Sequence, residues 1–309
     1  MMRKYLLSCL LALPLLSMGQ KTCKYDGERV RLSDNTVKVT HIGKLAGQKG
    51  ISYQGMDIWG HTLVSLQHTG VATLYDFNGK SIKKKGQLKL ASYDKTNHAN
   101  VASFGTQYAQ AGDPLPLLYV ARCSGKKLRG MDNLFFVERI DPKAMKSELV
   151  QQIWLNDYKH HFGSYCLGAV DRQNRMLYMY AETTGRLHPG TNRHWVMQFR
   201  LPEYRGPQDS LVILTEDDAL ARYDMEDSYT FDHQPITQGA TIYNGLLFLP
   251  MGVGSKAQPS LIYVMDTGTH RVQNVVNLQS AIPHELEDCT VWGGKMILQT
   301  QGDIYQLEF

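Results

Sequence analysis

The 309-residue chain carries 33 Lys and Arg against 29 Asp and Glu, with 43% hydrophobic and 10% aromatic residues. That near-balance of charge argues against nucleic acid as the main partner, which calls for a strongly basic face. The apolar fraction is enough for a sizeable core.

The first residues, MMRK, are basic, and the apolar stretch YLLSCLLALPLLSMG that follows is too short for a comfortable membrane span. Ser17 and Gly19 supply the small residues of a cleavage site. Residues 1–19 therefore read as a secretory signal cut before Gln20, with 20–309 as a single domain in the periplasm or outside the cell. Leu6-Leu7-Ser8-Cys9 resembles a lipoprotein box, but little apolar sequence precedes it. No second apolar run is long enough to span a bilayer. With Arg3 and Lys4 removed, the basic residues fall almost to the number of acidic ones. Cys23, Cys123, Cys166 and Cys289 remain, and their spacings form no metal knuckle. Export permits disulfides, and buried free thiols fit equally.

Asn35–Leu45 (NTVKVTHIGKL) reads as a strand with no partner of its own. From residue 51 the chain reads as sheets of short strands, rich in β-branched and aromatic residues and punctuated by turns. Unit one is ISYQGMDI, TLVSLQ, VATLYDF and Ser81–Leu90; unit two is HANVASFG, LLYVARC, LFFVERID and SELVQQIWL. Unit three is YCLGAVD, RMLYMYAE, RHWVMQFRL and SLVIL, followed by DDALARYDM (Asp217–Met225), which reads as a short helix. Unit four is TQGATIY, LLFLPM, SLIYVMD and RVQNVVNL. Unit five has only DCTVW, KMILQT and DIYQLEF. A ring closed by the N-terminal strand supplies the missing fourth strand and removes an open sheet edge. The pattern predicts an all-β fold, a β-propeller of five four-stranded blades, with six blades as the competing count. Asn78-Gly79, Asn244-Gly245 and Gly293-Gly294 predict tight hairpins in which both central residues take positive φ.

The loops then separate the two faces. Long connections at 124–133, 183–192, 215–235 and 252–259 fall on the face where the innermost strands begin, and most opposite turns are tight. Long loops on a rigid scaffold are where function concentrates. Around the axis on that face the innermost strands begin with Gln54, His98 and Asn100, Tyr165, Gln238, and Glu287 and Asp288; nearby loops add His160, His161, His233 and His284. His98, Tyr165 and Glu287 are the candidate catalytic residues. Gln54, Asn100, Arg122, Arg186, His233, Gln238 and Asp288 are the candidate ligand-binding ones. Such a convergence suits a binding or catalytic pocket, though a polar channel holding only water produces the same pattern.

His98, His233 and Glu287 would suit a divalent metal, without a spacing that requires one. The acidic run Glu216, Asp217, Asp218, Asp224, Glu226, Asp227 lacks the calcium-loop pattern. Arg122, Lys126, Lys127, Arg129, Arg186, His188 and Arg193 make a basic wall suited to an anionic ligand. Tyr108, Tyr158, Tyr165, Trp195 and Tyr229 offer stacking surfaces for sugar rings.

The lysine-bearing signal, the Gln at the mature start and the QG and HAN segments that begin innermost strands together resemble secreted β-propeller proteins of Bacteroidota. Five-bladed propellers include arabinanase-like glycosidases, with axial carboxylates on separate blades; here Gln54 and His98 stand where such carboxylates would. Asp57, an odd number of positions from Gln54, is expected on the other side of its strand. The resulting expectation is recognition of a carbohydrate, anionic in kind. A uronate lyase using His98 and Tyr165, ahead of a glycoside hydrolase, and a protein–protein scaffold are the alternatives.

Overall fold

The computed structural model describes residues 37–46, 52–157, 166–182, 194–231 and 236–308. The signal segment, Cys23, Tyr165, Arg186 and His233 lie outside the described residues, as do Tyr158, His160, His161, His188 and Arg193.

The described residues contain strands and three short 3-10 turns, with no α-helix. Blade one comprises β2 (Tyr53–Trp59), β3 (Thr62–Gln67), β4 (Val71–Phe77) and β5 (Ile82–Lys89), hydrogen-bonded in that order outward from the axis. Blade two runs β6 (Ala99–Phe104), β7 (Leu118–Arg122), β8 (Leu134–Asp141) and β9 (Lys146–Leu155), with β13 (Leu211–Leu214) added outside β9. Blade three is β10 (Leu167–Asp171), β11 (Met176–Glu182), β12 (His194–Arg200) and β14 (Ala221–Asp224). Blade four is β15 (Thr241–Tyr243), β16 (Leu246–Met251), β17 (Leu261–Asp266) and β18 (Arg271–Asn277). The last blade is β19 (Leu286–Trp292), β20 (Lys295–Thr300) and β21 (Asp303–Glu308), completed by β1 (Lys38–Lys44). β1 pairs antiparallel with β21 from Lys38↔Glu308 to Lys44↔Asp303, so the N-terminal strand closes a five-bladed ring as expected.

Two expectations need correction in blade three. Its outer strand is Ala221–Asp224, paired with β12 at Trp195↔Asp224, where the sequence suggested a short helix. Leu211–Leu214, expected to fill that position, pairs parallel with Gln152–Leu155 of blade two. Val212 and Leu214 pack against the core there, while Leu211 and Ile213 are exposed. An alternating LVIL fits any open edge of suitable height, so its pattern fixes a strand and leaves the partner open. Turn chemistry also differs once. Asn244-Gly245 and Gly293-Gly294 have both φ values positive, but at Asn78-Gly79 only Gly79 does. The Asn78 side chain instead accepts from the Lys80 and Ser81 backbone N–H groups at 3.0 and 2.9 Å, an Asx turn.

The innermost strands β2, β6, β10, β15 and β19 contact one another around the axis, and the QG segments explain how closely. A Cβ on Gly55 would sit 2.6 Å from the Ala102 backbone nitrogen of the next blade. One on Gly239 would sit 2.4 Å from Asp288 Oδ1 and 2.6 Å from its Cα. These glycines are needed for space between strands, not for a turn. Gly239→Ala and Gly55→Ala are each expected to lower stability by about 1–3 kcal/mol or more, as overpacking against backbone does. Thermal unfolding of the purified variants reads the loss directly.

Candidate functional site

One residue organises the axis. Asp288, on β19, is fully buried. Its Oδ2 accepts from Met56 N at 2.8 Å and Ala102 N at 3.1 Å, and its Oδ1 accepts from Ala240 N at 3.2 Å and Cys289 N at 2.9 Å. One side chain thus satisfies backbone donors of blades one, two and four. Strands that meet edge-on at an axis leave such donors without ladder partners, and an unpaired buried N–H is costly. Burial pushes the Asp288 carboxyl up, against the pull of the Met56, Ala102 and Cys289 N–H groups. Expected among the ligand-binding residues, Asp288 spends both oxygens on the backbone and acts as the clasp of the ring.

Toward the long-loop face the other predicted residues converge. Gln54 Nε2 donates to Glu287 Oε2 at 3.1 Å and to Ser52 Oγ at 3.2 Å. Asn100 Nδ2 donates to the Gln238 carbonyl, and Gln238 Nε2 donates to Glu285 Oε1 at 2.7 Å. Gln301 Nε2 donates to the other Glu285 oxygen at 3.3 Å, and Gln299 donates through Nε2 to the Gln54 carbonyl and accepts at Oε1 from Ser65 Oγ at 2.6 Å. Gln54, Asn100, Gln238 and Glu287 are all buried. Glu287 is pushed well above the ordinary carboxylate range by burial first, then by the charges of Glu285 and Asp288. Two acceptors in this cluster, Gln54 Oε1 and Asn100 Oδ1, are buried without a hydrogen-bond partner.

His98 borders the cluster. Its φ of 51° lies in the left-handed region and its ring is half-buried. Burial lowers its pKa, against a hydrogen bond to the Cys123 backbone; the nearby charge of His68 lowers it further and that of Glu285 raises it. The imidazole is therefore neutral at pH 7.

Arg122 is not a rim residue. It is 1% exposed, with Nη1 on the Lys126 carbonyl and Nη2 on Thr96 Oγ1 at 3.3 Å, while its buried Nε–H has no partner. Among the described residues no three His, Cys, Asp or Glu side chains come together to hold a metal ion. The acidic run supplies turn caps: Asp218 with Thr215 forms a capping box, and Asp224 accepts from Glu226 N at 2.9 Å. Cys123, Cys166 and Cys289 are buried, and Cys166 and Cys289 are free thiols.

Sequence reasoning missed the other end of the axis. A register shift between Tyr53 and Met56 breaks the strict alternation of β2, so Asp57 turns inward with the axial set. It accepts from Ile58 N at 2.7 Å, from Thr290 Oγ1 and from the Arg172 guanidinium, whose Nε also donates to the Phe104 carbonyl at 2.8 Å. Arg172 lies in the β10–β11 turn, so this ion pair ties blade three to blade one. Glu285 and Gln301 were missed because they sit in loops with no periodicity to mark them. Two surface cavities lie elsewhere, of about 420 Å³ beside Val37–Val39 and Leu278 and about 410 Å³ along Tyr108–Asp113.

These features define a five-bladed propeller with a buried polar cluster at the long-loop end of its axis. No protein-family model matches the sequence, and no curated protein matches it. Among solved structures, the glutaminyl cyclase of Myxococcus xanthus aligns at 11% identity and TM-score 0.50, covering 87% of this chain and 95% of that one. A structural genomics protein of unknown function from Bacteroides thetaiotaomicron aligns at 12% identity and TM-score 0.43, covering 88% and 76%. The tail fiber of Staphylococcus aureus phage P68 aligns at 10% identity and TM-score 0.45, covering 91% and 53%. At these identities the likeness concerns the fold alone.

Two outcomes test the axial assignments. Asp288→Ala strands the N–H groups of Met56, Ala102, Ala240 and Cys289, and is expected to cost on the order of 4 kcal/mol or more, read by chemical denaturation. Glu287 has a raised folded-state pKa, so above the ordinary value of about 4.3 the unfolded chain holds fewer protons than the folded one. Stability contributed by the protonated group is then lost as pH rises from that value through the folded pKa. Glu287→Gln should remove this component, leaving a flatter stability–pH curve than wild type; equal slopes would refute the assignment.

Proposed function

We propose that the long-loop end of the axis recognises a carbohydrate, in an exported protein. The observation that carries this reading is the pair of buried, unpartnered amide oxygens, Gln54 Oε1 and Asn100 Oδ1, beside Glu287, whose carboxyl burial pushes well above the ordinary range. Acceptors without donors favour a ligand rich in hydroxyl groups, because each buried orphan costs free energy until a donor arrives. The fit extends to an acidic sugar at one point: the unpartnered Nε–H of Arg122 is a donor suited to a carboxylate or sulfate. The remaining described basic wall is thin, since Lys127 already pairs with Asp132 at 3.4 Å.

A second reading, catalysis on the same ligand, is favoured by one observation. Burial lowers the pKa of His98 and raises that of Glu287, opposite shifts of the kind that a general base and a general acid need. In the uronate-elimination version, His98 takes the proton and Glu287 returns one to the leaving oxygen.

Neutral and acidic oligosaccharides incubated with the protein, followed by calorimetry and mass spectrometry with and without chelator, separate these readings. Binding without fragments supports recognition, fragments that gained water mean hydrolysis, and unsaturated uronates mean elimination. Gln54→Ala and Asn100→Ala should each weaken binding about 5- to 30-fold, from roughly 1–2 kcal/mol per lost hydrogen bond. Arg122→Gln should act on acidic sugars only. If no oligosaccharide binds, the carbohydrate reading is overturned.

A further inference from the structure

The axial cluster has a sign of charge that a neutral sugar does not answer. Asp288 clasps the backbone N–H groups of Met56, Ala102 and Ala240. Gln54, Asn100 and Gln238 each stand two residues before one of those positions, so the clasp sets three amide side chains in one layer. Glu287 and Glu285 face that layer, accepting from Gln54 Nε2 at 3.1 Å and Gln238 Nε2 at 2.7 Å. Among the described residues, no Lys, Arg or His forms an ion pair with Glu285, Glu287 or Asp288. Burial first, then the negative charges of Glu285 and Asp288, push the Glu287 carboxyl up. His98 feels the charge of Glu285, but burial shifts its pKa down. Arg122 is bonded to Lys126 and Thr96 and is not among the charges that act on Glu287.

The unpartnered atoms point the same way. Gln54 and Asn100 are 5% and 2% exposed, and Gln54 Oε1 and Asn100 Oδ1 have no partner among the described residues. The Asn100 amide cannot be turned around, because its Nδ2 donates to the Gln238 carbonyl, which only accepts. An ionised Glu287 holds the Gln54 amide in the same sense, and Gln54 Nε2 is spent on Glu287 and Ser52. A sugar hydroxyl brings one donor together with lone pairs of its own. An ammonium group brings three donors, no acceptor and the positive charge that the cluster lacks. It needs little room, and the cluster meets solvent at Glu285, which is partly exposed, and at Ser52, which is exposed.

We propose that the axial cluster takes a primary ammonium group, donated to Gln54 Oε1, Asn100 Oδ1 and the Glu287 carboxylate. On the carbohydrate reading, which this rests on for its sugar part alone, the ligand is an amino sugar. Its ammonium group enters the layer, and the rest of the sugar stays toward the long-loop face. The binding makes and breaks no covalent bond.

The test is calorimetry of the intact protein with oligomers of glucosamine and of N-acetylglucosamine of matched length, at about pH 6, below the range in which amines of this kind lose their proton. The glucosamine oligomer should bind at least about 10-fold more tightly, as a charge-assisted contact outweighs a neutral one. In Glu287→Gln that preference should collapse toward equality. Independently of any variant, methylammonium chloride should raise the unfolding temperature of the wild-type protein saturably, and tetramethylammonium chloride, which has no N–H, should not. The proposal is overturned if the two oligomers bind alike or the N-acetylated one binds better, if Glu287→Gln keeps the full preference, or if calcium stabilises the protein and methylammonium does not. Equal binding of the two oligomers overturns the ammonium site and leaves the carbohydrate reading standing. Stabilisation by methylammonium with no oligomer bound does the reverse.

Discussion

The ring depends on one buried carboxylate. Five innermost strands meet edge-on at the axis, where no sheet ladder can satisfy their backbone N–H groups. Asp288 collects such donors from three blades besides its own, and Gly55 and Gly239 leave the room for the strands to come within its reach. At the other end Asp57 does related work, joining Thr290 and Arg172 to β2. Removing either acid leaves buried donors or an unpaired guanidinium, so the axis is held by charge and hydrogen bonds where blades elsewhere are held by apolar packing.

That division explains why polar residues at the axis have two meanings. Asp288 and Asp57 have their oxygens taken by backbone and side-chain donors of this chain. Gln54, Asn100 and Glu287 lie one layer nearer the long-loop face, and there acceptors are left over. A polar group whose capacity is exhausted is structural; one held in place with capacity to spare is where a ligand gains most.

Much of this was legible in the sequence. The strand runs, the short last unit and the spare N-terminal strand led to five blades and a closing β1, because period-2 burial and hairpin turns are local signals. Gln54, Asn100, Gln238 and Glu287 were found because each begins an innermost strand, and topology brings those positions together. The misplacements share a cause. Leu211–Leu214 reads as a strand but carries no mark of the edge it joins, and Ala221–Asp224 is too short for its own propensity to prevail. Asp57 was assigned to the wrong side because one bulge reverses parity, and a bulge leaves no reliable trace in residue types.

The sequence by itself determined the architecture, since alternation and turns are properties of neighbouring residues. Only the tertiary structure decided which polar residues are spent on the fold and which are left over. Asp288 and Glu287 are adjacent in the chain with similar chemistry, yet one faces four backbone donors and the other a glutamine and a second acid. The difference lies in how strands from distant parts of the chain approach the axis, which is set by long-range packing and is invisible to any local pattern.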